Sequence, residues 1–338
     1  MKKHLLLLGT LIISLAGCSA TDEASSDTLD LIVAHNHTSL ENPYAYGMNK
    51  FEKVLEDISG GKVQVTVHHG TLGENENELV EKLQMGAVDM VVASPGFMTA
   101  IGVPEVDMFS LLYLFDSFDH WEKNVTGEFG TLMKDLIATK TGNNFKVMDY
   151  WSSSVRDVYA KVPVYKPADL DGLSIRTQNS KVQQDLFSAT GAVPTPVAWS
   201  ELYQALQQNV VDGAENDYTN LMLKEHHKTT NGKYISETHH DFTTRLLLMN
   251  GNAYDKLSAE QQAWIEEAID LATQEHLSKT FSMFEESKQQ VIADGAVVIP
   301  FDEIDIAEFK ALAIPIQDKF AADNEMEAYL ELIRKTSN

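Results

Sequence analysis

Three shortages limit what this chain of 338 residues can be. It contains one cysteine, which rules out a disulfide scaffold. It is poor in basic residues, with 26 Lys and Arg against 50 Asp and Glu and a formal net charge of −24. Nucleic acid is therefore excluded as a partner, because phosphate binding needs a basic patch, and an anionic ligand is unexpected on charge alone. Beyond the N-terminus, no apolar run reaches the roughly 18 residues that a membrane span needs.

The N-terminal segment predicts an export signal. Lys2 and Lys3 precede an apolar run over residues 5–16 that is too short to span a bilayer comfortably. The ending LAGC, at residues 15–18, resembles the lipobox of bacterial lipoproteins, which predicts cleavage after residue 17 and lipidation of Cys18. The alternative is a plain signal peptide with an incidental cysteine. Residues 18–28 are small and polar and would form a tether. Loss of residues 1–17 removes two lysines and no acid, which changes the charge from −24 to −26.

The remaining sequence predicts an α/β fold of about two domains, since 43% of the residues are hydrophobic and strand and helix patterns alternate. The predicted elements are a strand at 31–34, a helix at 42–58, a strand at 63–67, a helix at 76–85, a strand at 88–93, a strand at 173–177 and a helix at 181–189. Alternation of this kind favours mainly parallel sheets. Apolar spacing continues from a capping box at Ser258 and Gln261 to about Ala293, which predicts a helix of roughly 50 Å. Shorter helices follow.

One unit appears twice in the chain. Residues 78–90 (ELVEKLQMGAVDM) align without a gap with residues 201–213 (ELYQALQQNVVDG) and share six identities in thirteen positions. This repeat predicts two lobes of similar plan. The alternative is that helix-to-strand junctions simply share composition.

The residues best suited to binding lie between positions 151 and 218. Arg156 and Arg176 stand in segments suited to an interior or a cleft, and an arginine at the end of a strand can bind a carboxylate at two points. A structural salt bridge is the alternative and is favoured by spacing alone. Trp151 and Trp199 would line a pocket or the core. Asn216 follows a turn and would contact a polar ligand or cap the surface.

Three segments in this region resemble the solute receptors of tripartite ATP-independent periplasmic (TRAP) transporters. Residues 166–177 (KPADLDGLSIRT) resemble the family's P-x-D-L-x-G-x-K-[IL]-R segment, and residues 191–208 (GAVPTPVAWSELYQALQQ) resemble its G-A-x-P-x-P helix. Residues 211–216 (VDGAEN) match its V-D-G-x-E-N ending. Weaker matches run through most of the mature chain in the family's order.

The resemblance implies a periplasmic-binding-protein fold in which a long helix crosses two lobes that flank a ligand cleft. The implied lobes are residues 29–153 with 242–281, and 154–241 with 282–335. Arg176, Arg156 and Asn216 match the family's carboxylate-binding residues. The first-lobe candidates for contacts with ligand hydroxyls are Asn36, His37, Glu78 and Ser94, and Trp151 is the candidate for the carbon face of the ligand.

The implied function is an extracytoplasmic receptor that captures an organic acid and delivers it to a membrane permease. The stretch around Arg176 is closest to receptors for sugar acids such as uronates and diketogulonate, and a C4-dicarboxylate is the alternative ligand. No cofactor, metal or catalytic residue is implied, and the histidine pairs at 68–69, 226–227 and 239–240 are expected at the surface. A secreted carbohydrate-acid enzyme and a partner of a separate sensor remain as rival readings.

Overall fold

The computed structural model describes residues 28–73, 75–178 and 180–337. The predicted signal and nearly all of the tether, with Cys18, lie outside the described residues. The strands are β1 (Leu29–His35), β2 (Val63–His69), β3 (Met90–Ala93), β4 (Phe145–Trp151), β5 (Val155–Ala160), β6 (Ser174–Thr177), β7 (Val193–Pro196), β8 (Gly213–Asn216), β9 (Tyr234–Phe242), β10 (Arg245–Asn250) and β11 (Val297–Ile299). The α-helices are α1 (Pro43–Ile58), α2 (Glu76–Gln84), α3 (Phe118–Val125), α4 (Glu128–Lys140), α5 (Lys181–Ala189), α6 (Leu202–Gln207), α7 (Tyr218–Leu223), α8 (Gly251–Tyr254), α9 (Ala259–Ala293), α10 (Ile306–Asp323) and α11 (Glu327–Thr336).

These strands form two mixed sheets. The first has the order β2-β1-β3-β10-β4, and the second has the order β11-β9-β5-β8-β6-β7. The prediction of mainly parallel sheets is only partly confirmed, because β10 runs antiparallel to β3 and β4, and β5 runs antiparallel to β8 and β9. The antiparallel strands adjoin the places where the chain passes from one sheet to the other. Those crossings, at residues 152–154 and 243–244, are buried.

The repeated segments fold alike. In each copy a helix is followed by a strand, α2 by β3 and α6 by β8. Asp89 and Asp212, which the alignment pairs, make the same contacts: each carboxylate accepts a hydrogen bond from a backbone N–H of a neighbouring strand, Ile32 in β1 at 2.7 Å and Ser174 in β6 at 3.0 Å. The backbone N–H of each aspartate also donates a hydrogen bond to the carbonyl oxygen of that same partner residue. Shared junction composition alone would not produce these long-range contacts, so the two sheets share a local plan.

The long helix is present over the predicted length. Ser258 accepts a hydrogen bond from the backbone N–H of Gln261, and the Gln261 side chain accepts one from Ser258, which closes the capping box. The first half of α9 buries Ile265 and Ile269 against α1 and the first sheet. Its second half packs against α7, and Val291 is buried there in the core beside the second sheet. None of the described helices is both long enough and apolar enough to cross a membrane.

The end of the chain packs differently from the predicted lobes. Leu330 and Ile333 of α11 are buried in the same cluster as Trp121 of α3 and Phe129 of α4, on the first-sheet side. The sequence places residues 282–335 in the second lobe, whereas these contacts assign α11 to the first. The remaining boundaries stay a prediction, although the strands divide between the sheets in the same way.

The expectation of surface histidine pairs is wrong for two of the three pairs. His226, His227 and His240 are buried. His226 Nδ1 lies 2.8 Å from the hydroxyl of Tyr159, and His227 Nε2 lies 3.0 Å from a carboxylate oxygen of Asp294. No group of three or more His, Cys, Asp and Glu side chains in the described ranges is placed to hold a metal ion. These histidines are therefore bonded components of the core.

The capping box of α9 can be tested by mutation. Ser258→Ala is expected to lower the free energy of unfolding by about 0.5–2 kcal/mol, because it removes the acceptor for the N–H of Gln261. Ser282→Ala, in the exposed middle of the same helix, serves as the control and should change stability by less than about 0.5 kcal/mol. Urea denaturation of both variants measures the difference, and equal losses would contradict the capping role.

Candidate functional site

A cavity of about 310 Å³ lies between the two sheets. This is the lower end of the roughly 300–1,000 Å³ typical of small-molecule sites. The first-sheet side contributes Asn36, His37, Asn75, Glu76, Asn77, Phe97 and Arg245. The second-sheet side contributes Arg156, Arg176, Thr177, Gln178, Pro196, Val197, Ala198, Trp199, Asn216 and Asn220. Three of the four arginines of the chain are in this lining.

Strand ends position most of these side chains. Asn36 and His37 follow the last residue of β1, Thr177 and Asn216 are the last residues of β6 and β8, and Glu76 begins α2. Polar side chains beyond the carboxyl ends of parallel strands converge on the crevice at that edge of a sheet, which is the usual place for a ligand in an α/β protein.

Arg176 supplies an uncompensated positive charge. Its side chain is 5% exposed, and its Nε donates to the carbonyl of Val197 at 3.0 Å. Its Nη1 is buried without a hydrogen-bond partner, and within the described residues no carboxylate lies within 4.0 Å of the guanidinium. Burial lowers the pKa of this guanidinium, while Glu215 opposes the shift. The group is thus held in the cavity with a free donor face.

Arg156 differs from Arg176 because its guanidinium group already forms a salt bridge within the chain. Nε and Nη2 bind the two carboxylate oxygens of Glu215, and Nη2 also donates to the Glu215 carbonyl at 2.8 Å. Burial opposes the charged form of Arg156, but Glu215 outweighs it and raises the pKa of the guanidinium. Burial likewise opposes ionisation of Glu215, yet Arg156 and His240 lower its pKa to about 2. The salt bridge that spacing favoured is present here, and Arg156 offers the cavity only part of its donor set.

Asn216 is oriented by this ion pair. Its Oδ1 accepts hydrogen bonds from Arg156 Nη1 at 2.7 Å and from the backbone N–H of Asp217 at 2.9 Å. With the oxygen satisfied, the amide nitrogen remains as the donor for a ligand. Arg156 therefore fixes which way the Asn216 amide faces.

The first-sheet side presents neutral and acceptor groups. The ring of His37 lies 6.2 Å from that of Trp199 across the cavity, and Asn42 Nδ2 donates to Asn220 Oδ1 at 3.3 Å, so contacts join the two sides. Burial lowers the pKa of His37 well below its usual value, so the imidazole is neutral near pH 7. Asn36 lines the cavity as the sequence predicts.

Three predicted residues lie elsewhere. Glu78 is outside the lining and bonds Asn75, while Glu76, two residues earlier, is inside. Ser94 is buried behind the wall, where its N–H donates to Glu76 Oε2 at 2.5 Å. Trp151 is fully buried in the first-sheet core: it stacks on His276 with ring centroids 4.4 Å apart, and its Nε1 donates to Thr273.

Trp199 occupies the wall instead. It lines the cavity with its ring centroid 5.9 Å from the Arg176 guanidinium carbon, and its Nε1 is buried without a partner. The sequence named this tryptophan as a possible wall residue but favoured Trp151 for the ligand's carbon face. An aromatic face beside a guanidinium provides a surface for the apolar side of a ring.

Arg245, like Glu76, lines the cavity without having been predicted from the sequence. It is the first residue of β10, lies 7% exposed in the lining, and donates from Nη1 to the carbonyl of Thr244 at 3.0 Å. Within the described ranges no carboxylate lies within 4.0 Å of it. The available signal was an arginine directly before the apolar run 246–249, where a buried charge needs a reason.

Comparisons with known proteins agree on one family. Residues 33–324 match the model of bacterial extracellular solute-binding proteins, family 7. The C4-dicarboxylate-binding periplasmic protein DctP of Rhodobacter capsulatus is 30% identical over 71% of this chain and 71% of its own. The 2,3-diketo-L-gulonate-binding periplasmic protein YiaO of Escherichia coli is 27% identical over 93% of this chain and 94% of its own. A solved TRAP periplasmic solute-binding protein of Chromohalobacter salexigens, with bound D-glucuronate, superimposes with a TM-score of 0.85 at 27% identity, covering 91% of this chain and 100% of its own.

The two tryptophans should respond oppositely to substitution. Trp151→Phe is expected to lower the free energy of unfolding by about 1–3 kcal/mol, because it leaves space in the core and removes the bond to Thr273. Trp199→Phe should cost less than about 1 kcal/mol and should instead weaken binding of an acid in the cavity. Urea denaturation and calorimetry on the same pair of variants check this, and weaker binding in Trp151→Phe with unchanged binding in Trp199→Phe would contradict the assignment.

Proposed function

The chain belongs to family 7 of the bacterial extracellular solute-binding proteins, and we propose that it is the receptor that captures a hydroxylated organic acid, such as a uronate or keto-sugar acid, for a TRAP permease. Its two-sheet fold matches that of TRAP periplasmic solute-binding proteins. The family is extracellular by description, so the receptor acts outside the cytoplasm.

Arg176 carries the proposal. A guanidinium that is 95% buried, with an unbonded Nη1 and no carboxylate beside it, is an incomplete pair. A ligand carboxylate completes it through charge-assisted hydrogen bonds, which are shorter and stronger than neutral ones and are strengthened by the low dielectric of a closed cleft. Asn216 Nδ2 and the remaining N–H of Arg156 lie beside it on the same side of the cavity.

The opposite side supports a sugar acid over a simple carboxylate. Asn36, Asn75, Asn77 and Glu76 present amides and a carboxylate, which suit donors and acceptors spaced along a polyhydroxylated carbon chain. The relatives whose names state a ligand include a diketogulonate receptor and a glucuronate complex. A C4-dicarboxylate, which the Rhodobacter capsulatus relative is named for, is the second candidate.

Capture requires the two lobes to close on the acid. The ligand contacts come from both sheets, and the Asn42–Asn220 and His37–Trp199 contacts join the sides beside the cavity. Hinge closure about the crossing strands would present a distinct closed surface to the permease. No chemical step belongs to this function: the acid is released unchanged, and turnover of a bound acid would instead support a secreted enzyme.

The predicted export and anchoring extend the proposal. The signal at residues 1–17 would direct the chain out of the cytoplasm, and lipidation of Cys18 would hold the receptor at a membrane through the tether at 18–28. The lobes would comprise residues 29–153 with 242–281, and 154–241 with 282 to about 323, with α11 packed on the first lobe.

The test is a ligand screen with matched arginine variants. A bound acid at about 100 times its dissociation constant should stabilise the protein by about 2.7 kcal/mol, which a thermal-shift screen of uronates, aldonates, keto-sugar acids and C4-dicarboxylates detects. Arg176→Ala should abolish acid binding in calorimetry while the unliganded protein still unfolds cooperatively, because the uncompensated cation is removed.

The control is Arg334→Ala, which removes an arginine that is paired with Asp318 on the surface. This variant should bind the acid like the wild type. Undiminished affinity in Arg176→Ala, or no shift with any organic acid in the wild type, would overturn the proposal.

A further inference from the structure

The charges that line the cavity do not cancel. Arg156 is neutralised by the carboxylate of Glu215, with which it makes bonds from two nitrogens. Arg176 and Arg245 are buried, and each has one side-chain hydrogen bond, to a backbone carbonyl. Burying an unpaired guanidinium is costly, so each requires an acceptor that the unliganded chain does not supply.

Within the lining one carboxylate faces these two cations, while Glu215 and Asp241 lie behind the wall against Arg156. Glu76 is 7% exposed, lines the cavity, and its Oε2 is held by the N–H of Ser94, so the acid is fixed in place. Its negative charge acts on Arg176 from the opposite side of the cavity. His37, the titratable imidazole in the lining, is neutral. The lining therefore sums to one net positive charge: two unpaired guanidinium groups against one glutamate.

A ligand with a single negative charge would neutralise the net positive charge of the lining. We infer that the cavity selects acids with one carboxylate and excludes diacids, with Glu76 and Arg245 as the residues that determine this specificity. The inference rests on the proposed function, in which Arg176 takes the ligand's carboxylate. Arg245 then binds a neutral oxygen of the same ligand, and Glu76 accepts hydrogen bonds from its hydroxyls.

Glu76 is the element that rejects a diacid. A hydroxyl can donate to its carboxylate, whereas a second ligand carboxylate has no proton to donate and is repelled at close range in a low-dielectric site. Without Glu76, Arg176 and Arg245 would form a pair of cations suited to a dianion. The same cavity would then prefer the ligand that it now excludes.

Calorimetry with matched ligands tests this. D-gluconate and D-glucarate share an open six-carbon chain and differ in one end group, a hydroxymethyl against a carboxylate, and D-glucuronate is the cyclic monoacid. The wild type should bind the better of the two monoacids at least about tenfold more tightly than D-glucarate, which corresponds to about 1.4 kcal/mol.

Three variants separate the roles. Glu76→Gln should weaken D-glucuronate binding and reduce the preference against D-glucarate by about tenfold or more, since it removes the charge that repels the second carboxylate. Arg245→Met should weaken monoacid binding by about tenfold without lowering the thermal midpoint of the unliganded protein, because it removes an uncompensated buried cation. Glu81→Gln removes the same charge from an exposed position of the same helix, outside the cavity, and should leave every affinity unchanged.

The outcomes separate the two proposals. If no acid binds the wild type, or if Arg176→Ala binds normally, the proposed function fails. If D-glucarate binds the wild type as tightly as the monoacids and Arg176→Ala abolishes both, the function stands and the monoacid selection is wrong. An unchanged preference in Glu76→Gln, or an equal change in Glu81→Gln, also overturns the specificity role.

Discussion

A guanidinium that leaves water needs a counter-charge, and this requirement organises the centre of the molecule. Arg156 has its counter-charge in Glu215, and the pair in turn orients Asn216. Arg176 and Arg245 have no carboxylate within 4.0 Å among the described residues. The folded chain thus holds two buried guanidinium groups without an adjacent carboxylate in a cavity whose walls come from two sheets. A bound anion would supply the missing negative charge and would contact both walls, so in the proposed function ligand binding and closure of the cavity occur together.

The elements that depend on local patterns were predictable. The capping box and apolar spacing gave α9 within its observed limits, α5 runs over the predicted residues, and Asn42 caps α1, which begins one residue later. Errors arose where distant contacts decide. Adjacent histidines were expected at the surface, but His240 of β9 is buried beside Glu215, while His239 has a left-handed backbone (φ 44°) and is partly exposed. The packing of α11 likewise depends on α3 and α4, roughly 200 residues earlier.

The site was predictable where a motif carries the residue. Arg176 and Asn216 were found through their surrounding segments, and the structure places both in the cavity lining. The sequence predicted Glu78, whereas Glu76, two residues earlier on the same helix, lines the cavity. Two residues correspond to about 200° around a helix, so only one of them faces the cavity. Arg245 had no motif, since it reaches the cavity only because β10 inserts between β3 and β4.

The overall negative charge of the chain and the positive charge of its cavity coexist because they act at different ranges. Screening in about 0.15 M salt limits exposed charges to about 8 Å, whereas a buried guanidinium acts directly on a ligand in contact. The connections between the two sheets also limit how the sheets can move relative to each other. Besides the two strand crossings, α9 connects the sheets: its first half packs in the core of the first sheet and its second half in the core of the second, so any change in the angle between the sheets must bend this helix or shift it against one of those cores.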